Sequence, residues 1–137
     1  MTTRPRIYLA GPDVFRPDAA LHFALLSAAC ETLGLEPVVP FDESITAATT
    51  PQSIYEANMQ KLRSADGVVA NLAPFRGAEP DSGTVFEVGV AAALDLPVVA
   101  YGAEGLGKIL ASAATFAPTA EEALQMLATQ LISTPKP

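Results

Sequence analysis

Short apolar bursts alternate with longer stretches of helical patterning along the whole chain. Arg6-Ile7-Tyr8-Leu9-Ala10 has the length of a strand and is stopped by Gly11-Pro12. Pro17-Asp18 then opens a helix predicted to reach about Leu33, with Gly34 as its stop signal. Glu36-Pro37-Val38-Val39 is a second, shorter strand closed by Pro40, and a polar, Thr-rich loop follows from Asp42 to Thr50. Thr50-Pro51 places an N-cap residue before a proline at the first helical position, which predicts a helix to about Ser64. Gly67 to Leu72 is apolar without alternation, the pattern of a strand buried on both faces. A loop carrying Pro74, Gly77 and Pro80 leads into a helix that runs through Leu94. Pro97 to Tyr101 is a fourth strand, followed by a Gly-rich segment and a short strand around Ala114 to Ala117. Thr119-Ala120-Glu121-Glu122 has the form of a capping box and opens a last helix to about Leu131.

Strands alternating with helices build right-handed βαβ units. The expected architecture is therefore α/β: a doubly wound parallel sheet of about five strands in a three-layer α/β/α arrangement. A single domain over residues 1–132 with a frayed tail at 133–137 accounts for the pattern, since neither repeats nor linkers interrupt it. In such sheets ligands bind beyond the carboxyl ends of the strands. That rule selects Gly11, Asp13 and Phe15 after the first strand, Asp42 after the second, and the stretch from Ala73 through Gly83 to Glu87 after the third. Asp66 opens the third strand and so falls at the opposite end.

Composition narrows the function more than the fold. The 137 residues are half hydrophobic, yet no apolar run approaches the roughly 20 residues that cross a bilayer. Met1-Thr2-Thr3-Arg4-Pro5 lacks the apolar core of a signal peptide, and the lone Cys30 fits a reducing compartment, so a cytoplasmic location is expected. The net charge of −7, with no basic cluster, argues against nucleic acid polymers as partners. His22 is the only histidine, no metal-ligand cluster stands out, and the glycines match neither a Rossmann nor a P-loop spacing. Neither a metal nor a cofactor is expected. The alanine- and leucine-rich surface from Val88 to Leu94 suggests packing between subunits, in a dimer or higher homo-oligomer, although a helix covering the sheet has the same pattern.

What remains is carboxylate chemistry. Asp81 and Glu87 stand six residues apart across a Gly-containing turn, with Asp66 as a third acid. Glu87 in the first turn of its helix would be held ionised by the helix end, as suits a carboxylate nucleophile. Thr84-Val85-Phe86-Glu87 also has the form of a capping box, so a purely structural Glu87 stays open on spacing alone. Asp81 could equally hold the turn's backbone amides. Tyr8, partly buried near a strand end, needs a partner for its hydroxyl, and Glu87 would serve. Phe15 is placed either to stack on a flat ligand or to pack in the core.

Four segments together carry a resemblance. They are Tyr8-Leu9-Ala10-Gly11-Pro12-Asp13-Val14-Phe15, Ala65 to Leu72, Pro74-Phe75-Arg76-Gly77, and Asp81-Ser82-Gly83-Thr84-Val85-Phe86-Glu87-Val88-Gly89. In order and spacing they resemble the nucleoside 2-deoxyribosyltransferase family. The resemblance implies a flavodoxin-like sheet and cofactor-free exchange of bases on 2'-deoxynucleosides, with a deoxynucleoside and a free nucleobase as partners. It implies Glu87 as the nucleophile at the anomeric carbon, giving a covalent deoxyribosyl-enzyme, and Tyr8 as the group that orients it. Asp66 would protonate or hold the departing base, Asp81 would bind sugar hydroxyls or assist at the base, and Phe15 would stack on the base.

The chain departs from the family after the fourth strand. Members generally carry an Asn-Leu-Met type segment there, whose asparagine reaches a neighbouring subunit's sugar site, whereas Gly102 to Thr115 contains no asparagine. Two enzymatic alternatives stay open: hydrolysis of 2'-deoxynucleosides or their 5'-monophosphates, and a phosphoribohydrolase suggested by Gly-Thr-x-x-Glu at Gly83 to Glu87. A non-catalytic nucleotide-binding domain is the third.

Overall fold

Alternate residues of the first strand, β1 (Arg6–Ala10), divide between two cores. Ile7 and Leu9 point to one face of the sheet, Tyr8 and Ala10 to the other, as the two-residue period of a strand requires. The computed structural model describes residues 3–40, 49–103 and 105–132. The expected ligand residue Asp42 and the tail at 133–137 lie outside the described residues.

The remaining elements follow in the expected alternation: α1 (Ala19–Thr32), β2 (Glu36–Val38), α2 (Pro51–Ser64), β3 (Gly67–Asn71), α3 (Ser82–Ala93), β4 (Val98–Tyr101), α4 (Lys108–Ser112), β5 (Thr115–Phe116) and α5 (Ala120–Ile132). The five strands are all parallel in the order β2-β1-β3-β4-β5, the flavodoxin-like order. Register is set by Tyr8 opposite Val38 and Val68, and by Val69 opposite Val99. On one face α1 and α5 bury Leu26, Cys30, Leu124 and Leu127 against Ile7, Leu9, Val69 and Val99. On the other α2 and α3 bury Leu62, Val88 and Ala91 against Tyr8, Val68 and Ala70. Cys30 is fully buried, and burial pushes its thiol up to about 11, which suits a core residue rather than a nucleophile.

Local chemistry explains the helix ends. Thr50 and Ser53 satisfy each other's backbone amides in a capping box at the start of α2, ahead of Pro51. Thr119 Oγ1 accepts from the Glu122 amide at the start of α5. Two elements were not expected from the pattern. Pro12–Phe15 forms a single 3-10 turn, and α4 forms inside the Gly-rich segment as a helix of five residues. No helix among the described residues is long and apolar enough to cross a membrane.

The switch of strand order falls between β1 and β3, whose chains leave the sheet in opposite directions. The crevice at their carboxyl ends is bounded by the Gly11–Phe15 turn, the 72–81 loop and the start of α3.

Candidate active site

Tyr8 is fully buried in the middle of β1, on the face covered by α2 and α3. A phenol there needs a partner. Its hydroxyl donates to Glu87 Oε2 at 2.7 Å. Burial and the neighbouring Glu87 charge raise the Tyr8 pKa, so the phenol keeps its proton and acts as a donor. The same carboxylate oxygen receives a second hydrogen bond, from Asn58 Nδ2 at 3.3 Å.

Glu87 projects from the second turn of α3. The helix begins at Ser82, one turn earlier than a cap at Thr84 would start it, because Asp81 is the N-cap. Asp81 Oδ2 accepts from both the Thr84 amide and the Thr84 hydroxyl at 2.9 Å. Glu87 is therefore not a capping-box residue, which corrects its expected place in the first turn. Half-buried, it has its pKa raised from the ordinary value by desolvation. The Tyr8 hydrogen bond opposes that rise, the nearby Asp81 charge adds to it, and the Asn58 hydrogen bond opposes it again. Gly83 sits between the two acids, where an added Cβ would stand 3.2 Å from Asp81 Oδ2.

A cavity of about 330 Å³ opens beside Glu87. Ile54, Tyr55, Met59 and Phe86 make most of its wall apolar, while Asn58 and Glu87 supply the polar groups. A flat apolar-faced molecule with one reactive polar edge fits such a lining.

Asp66 does not join this constellation. Its exposed carboxylate accepts from the Arg6 amide at 2.8 Å, at the amino ends of β1 and β3. Parallel strands rise about 3.3 Å per residue, so Asp66 stands roughly 16 Å from the carboxyl end of β3. The expectation that it acts on the leaving base is corrected on that ground: two acids converge, not three.

A second polar group lies at the ends of β1 and β3. Asp13 is buried, with Oδ2 against His22 Nε2 at 2.5 Å and Oδ1 receiving Asn71 Nδ2 at 3.2 Å. Asn71 in turn accepts from the Ala73 amide at 3.1 Å. Gly11 is required by this packing, because a Cβ there would meet Asp13 Oδ1 at 2.3 Å and Asn71 Cβ at 2.8 Å. Asp13 and Gly11 thus shape the β1 turn. Phe15 is 60% exposed and stacks on Phe75 with centroids 5.7 Å apart. The Arg76 guanidinium covers both rings, at 4.6 Å from Phe75 and 5.1 Å from Phe15. Phe15, Asp13, Asn71 and Phe75 line a separate hollow of about 260 Å³.

Residues 7–107 match the family model of nucleoside 2-deoxyribosyltransferases. The chain belongs to the nucleoside 2-deoxyribosyltransferase family. Among solved structures, the 2-desoxiribosyltransferase from Leishmania mexicana superposes with a TM-score of 0.81 at 27% identity, over 93% of this chain and 99% of that one. The Clostridium botulinum CMP N-glycosidase shares the fold, with a TM-score of 0.62, 18% identity and coverage of 92% and 99%. So does the 2-deoxyribosyltransferase of Bacillus psychrosaccharolyticus, at 0.69, 17%, 85% and 88%. An uncharacterized protein of Schizosaccharomyces pombe is 36% identical over 108 residues, 74% of this chain and 51% of its own length. The chain thus spans about half the length of the curated relative it matches.

The stretch shared with the nucleoside 2-deoxyribosyltransferase family contains Tyr8, Asn58, Asp81 and Glu87. Sequence reasoning found three of these and missed Asn58. Its signal was faint but present: Ile54, Asn58 and Leu62 are four residues apart, so an amide interrupts the inward stripe of α2.

Proposed function

We propose that the protein transfers a 2-deoxyribosyl group between nucleobases through a covalent intermediate on Glu87. The observation that carries this reading is the Tyr8–Glu87 hydrogen bond of 2.7 Å, which orients a half-buried carboxylate beside an apolar cavity. With Oε2 occupied, Oε1 attacks the anomeric carbon as the glycosidic C–N bond breaks. Its electron pair leaves on the base, and the ring passes through oxocarbenium character that the carboxylate stabilises. Asp81 is the neighbouring acid that serves sugar hydroxyls or the departing base. An incoming base then attacks the deoxyribosyl-Glu87 ester from the other face, restoring the original anomeric configuration and freeing the carboxylate. Water competes for the same intermediate, which makes hydrolysis the side reaction.

The test is chromatography of 2'-deoxyinosine incubated with adenine, with and without the adenine, beside Glu87→Ala. The reading expects 2'-deoxyadenosine that depends on both adenine and Glu87. Hypoxanthine released at the same rate without adenine would instead make the protein a hydrolase. That second reading draws support from the stretch Gly102 to Thr115, in which Lys108–Ser112 form α4 and no asparagine is available for a neighbour's sugar site.

A further inference from the structure

We infer that Asn58 is a positioning residue for Glu87, the second of two neutral donors that hold Oε2 and leave Oε1 to attack. The inference rests on the glycosyl-transfer reading above. Its geometry comes from three separate elements: Tyr8 on β1 and Asn58 on α2 converge on one oxygen of a carboxylate carried by α3. A carboxylate held by one hydrogen bond can still swing about that bond. Two donors from different directions fix its plane. Both are uncharged, so they orient the nucleophile without neutralising it as an ammonium or guanidinium would. At 3.3 Å the Asn58 contact is long, as such contacts are before a substrate tightens the site.

The other end of the amide makes the stronger argument. Asn58 Oδ1 is buried and has no hydrogen-bond partner among the described residues. An unpaired buried acceptor is destabilising, and native structures retain few of them without a reason in function. The neighbours of Asn58 in the cavity wall include the apolar Ile54, Met59 and Phe86. Selection for stability alone would favour an apolar residue here, continuing the stripe from Ile54 to Leu62. The amide is kept for what its N–H does to Glu87.

The decisive experiment compares wild type with Asn58→Leu and Asn58→Asp, reading thermal midpoint, kcat, KM and the pH profile of kcat. Asn58→Leu is expected to match or exceed the wild-type midpoint while kcat falls about tenfold and KM changes little. Losing a donor to the carboxylate should move the acid limb of the profile to higher pH. Asn58→Asp should move it further, by setting a like charge beside Glu87. A lowered midpoint with wild-type kcat in Asn58→Leu would show a structural residue and overturn the inference. So would a fall in kcat with an unmoved acid limb. A wild-type protein that neither transfers nor hydrolyses would overturn the parent reading along with this one, whereas turnover that is indifferent to residue 58 would overturn this one alone.

Discussion

Glu87 is costly to the folded chain in the form the proposed attack would need, because desolvation favours the protonated acid while a carboxylate nucleophile must be the anion. With the pKa raised, the folded protein holds that proton to higher pH than the unfolded chain does. Stability linked to Glu87 is therefore fully present below the unfolded-state pKa and lost as pH rises through the folded one. Glu87→Gln should accordingly fold with a thermal midpoint at or above wild type at neutral pH, and lose transfer by more than about a thousandfold. Differential scanning calorimetry beside the chromatographic assay checks both; a destabilised variant that stays active would contradict them. The acid limb of the wild-type rate profile should lie above the ordinary glutamate range. Tyr8→Phe keeps the buried ring but removes the donor, so it should lower kcat by about tenfold to a hundredfold and push that limb higher still. An unchanged limb would separate Tyr8 from the nucleophile.

The start of α3 decides where Glu87 points. Asp81 and Thr84 are both capping residue types, and the spacing alone allowed either to begin the helix. Asp81 wins because one carboxylate oxygen takes the amide and the hydroxyl of Thr84 together. Asp81→Ala should cost about 1 kcal/mol of stability in denaturant unfolding. It should also depress activity through the displaced cap, and a fully stable, fully active variant would contradict this role. The strands, the four longer helices and the parallel order were legible because apolar runs, Pro and Gly mark them directly. The site was legible only in part. Tyr8 and Glu87 come from β1 and α3, and their contact depends on the face each presents. The position of Asp66 follows from strand direction, which already set it at the far end; the family pattern alone argued otherwise. Asn58 stayed hidden because its partner is 29 residues away and its own helix reads as ordinary amphipathic sequence.

At the scale of the molecule, both faces of the sheet carry a buried core, and the Tyr8–Glu87 pair lies on the face covered by α2 and α3. Val88 and Ala91, which on sequence could belong to a subunit surface or to a helix covering the sheet, cover the sheet. Exposed apolar rings nevertheless flank the site: Phe86 and Tyr55 are 51% and 47% exposed and lie with centroids 6.2 Å apart at the cavity wall. A dimer or higher oligomer that covers this edge is the proposed state. Light scattering should return a multiple of the 14.2 kDa chain mass, and a monomer at micromolar concentration would contradict it. The central claim is that Glu87 forms a bond to the sugar. Mass spectrometry of protein quenched during turnover of 2'-deoxyinosine without acceptor base tests it most directly. A deoxyribosyl adduct on the peptide carrying Glu87, absent from Glu87→Gln, is the expected result. Turnover with no adduct, or with the sugar on another residue, would contradict it.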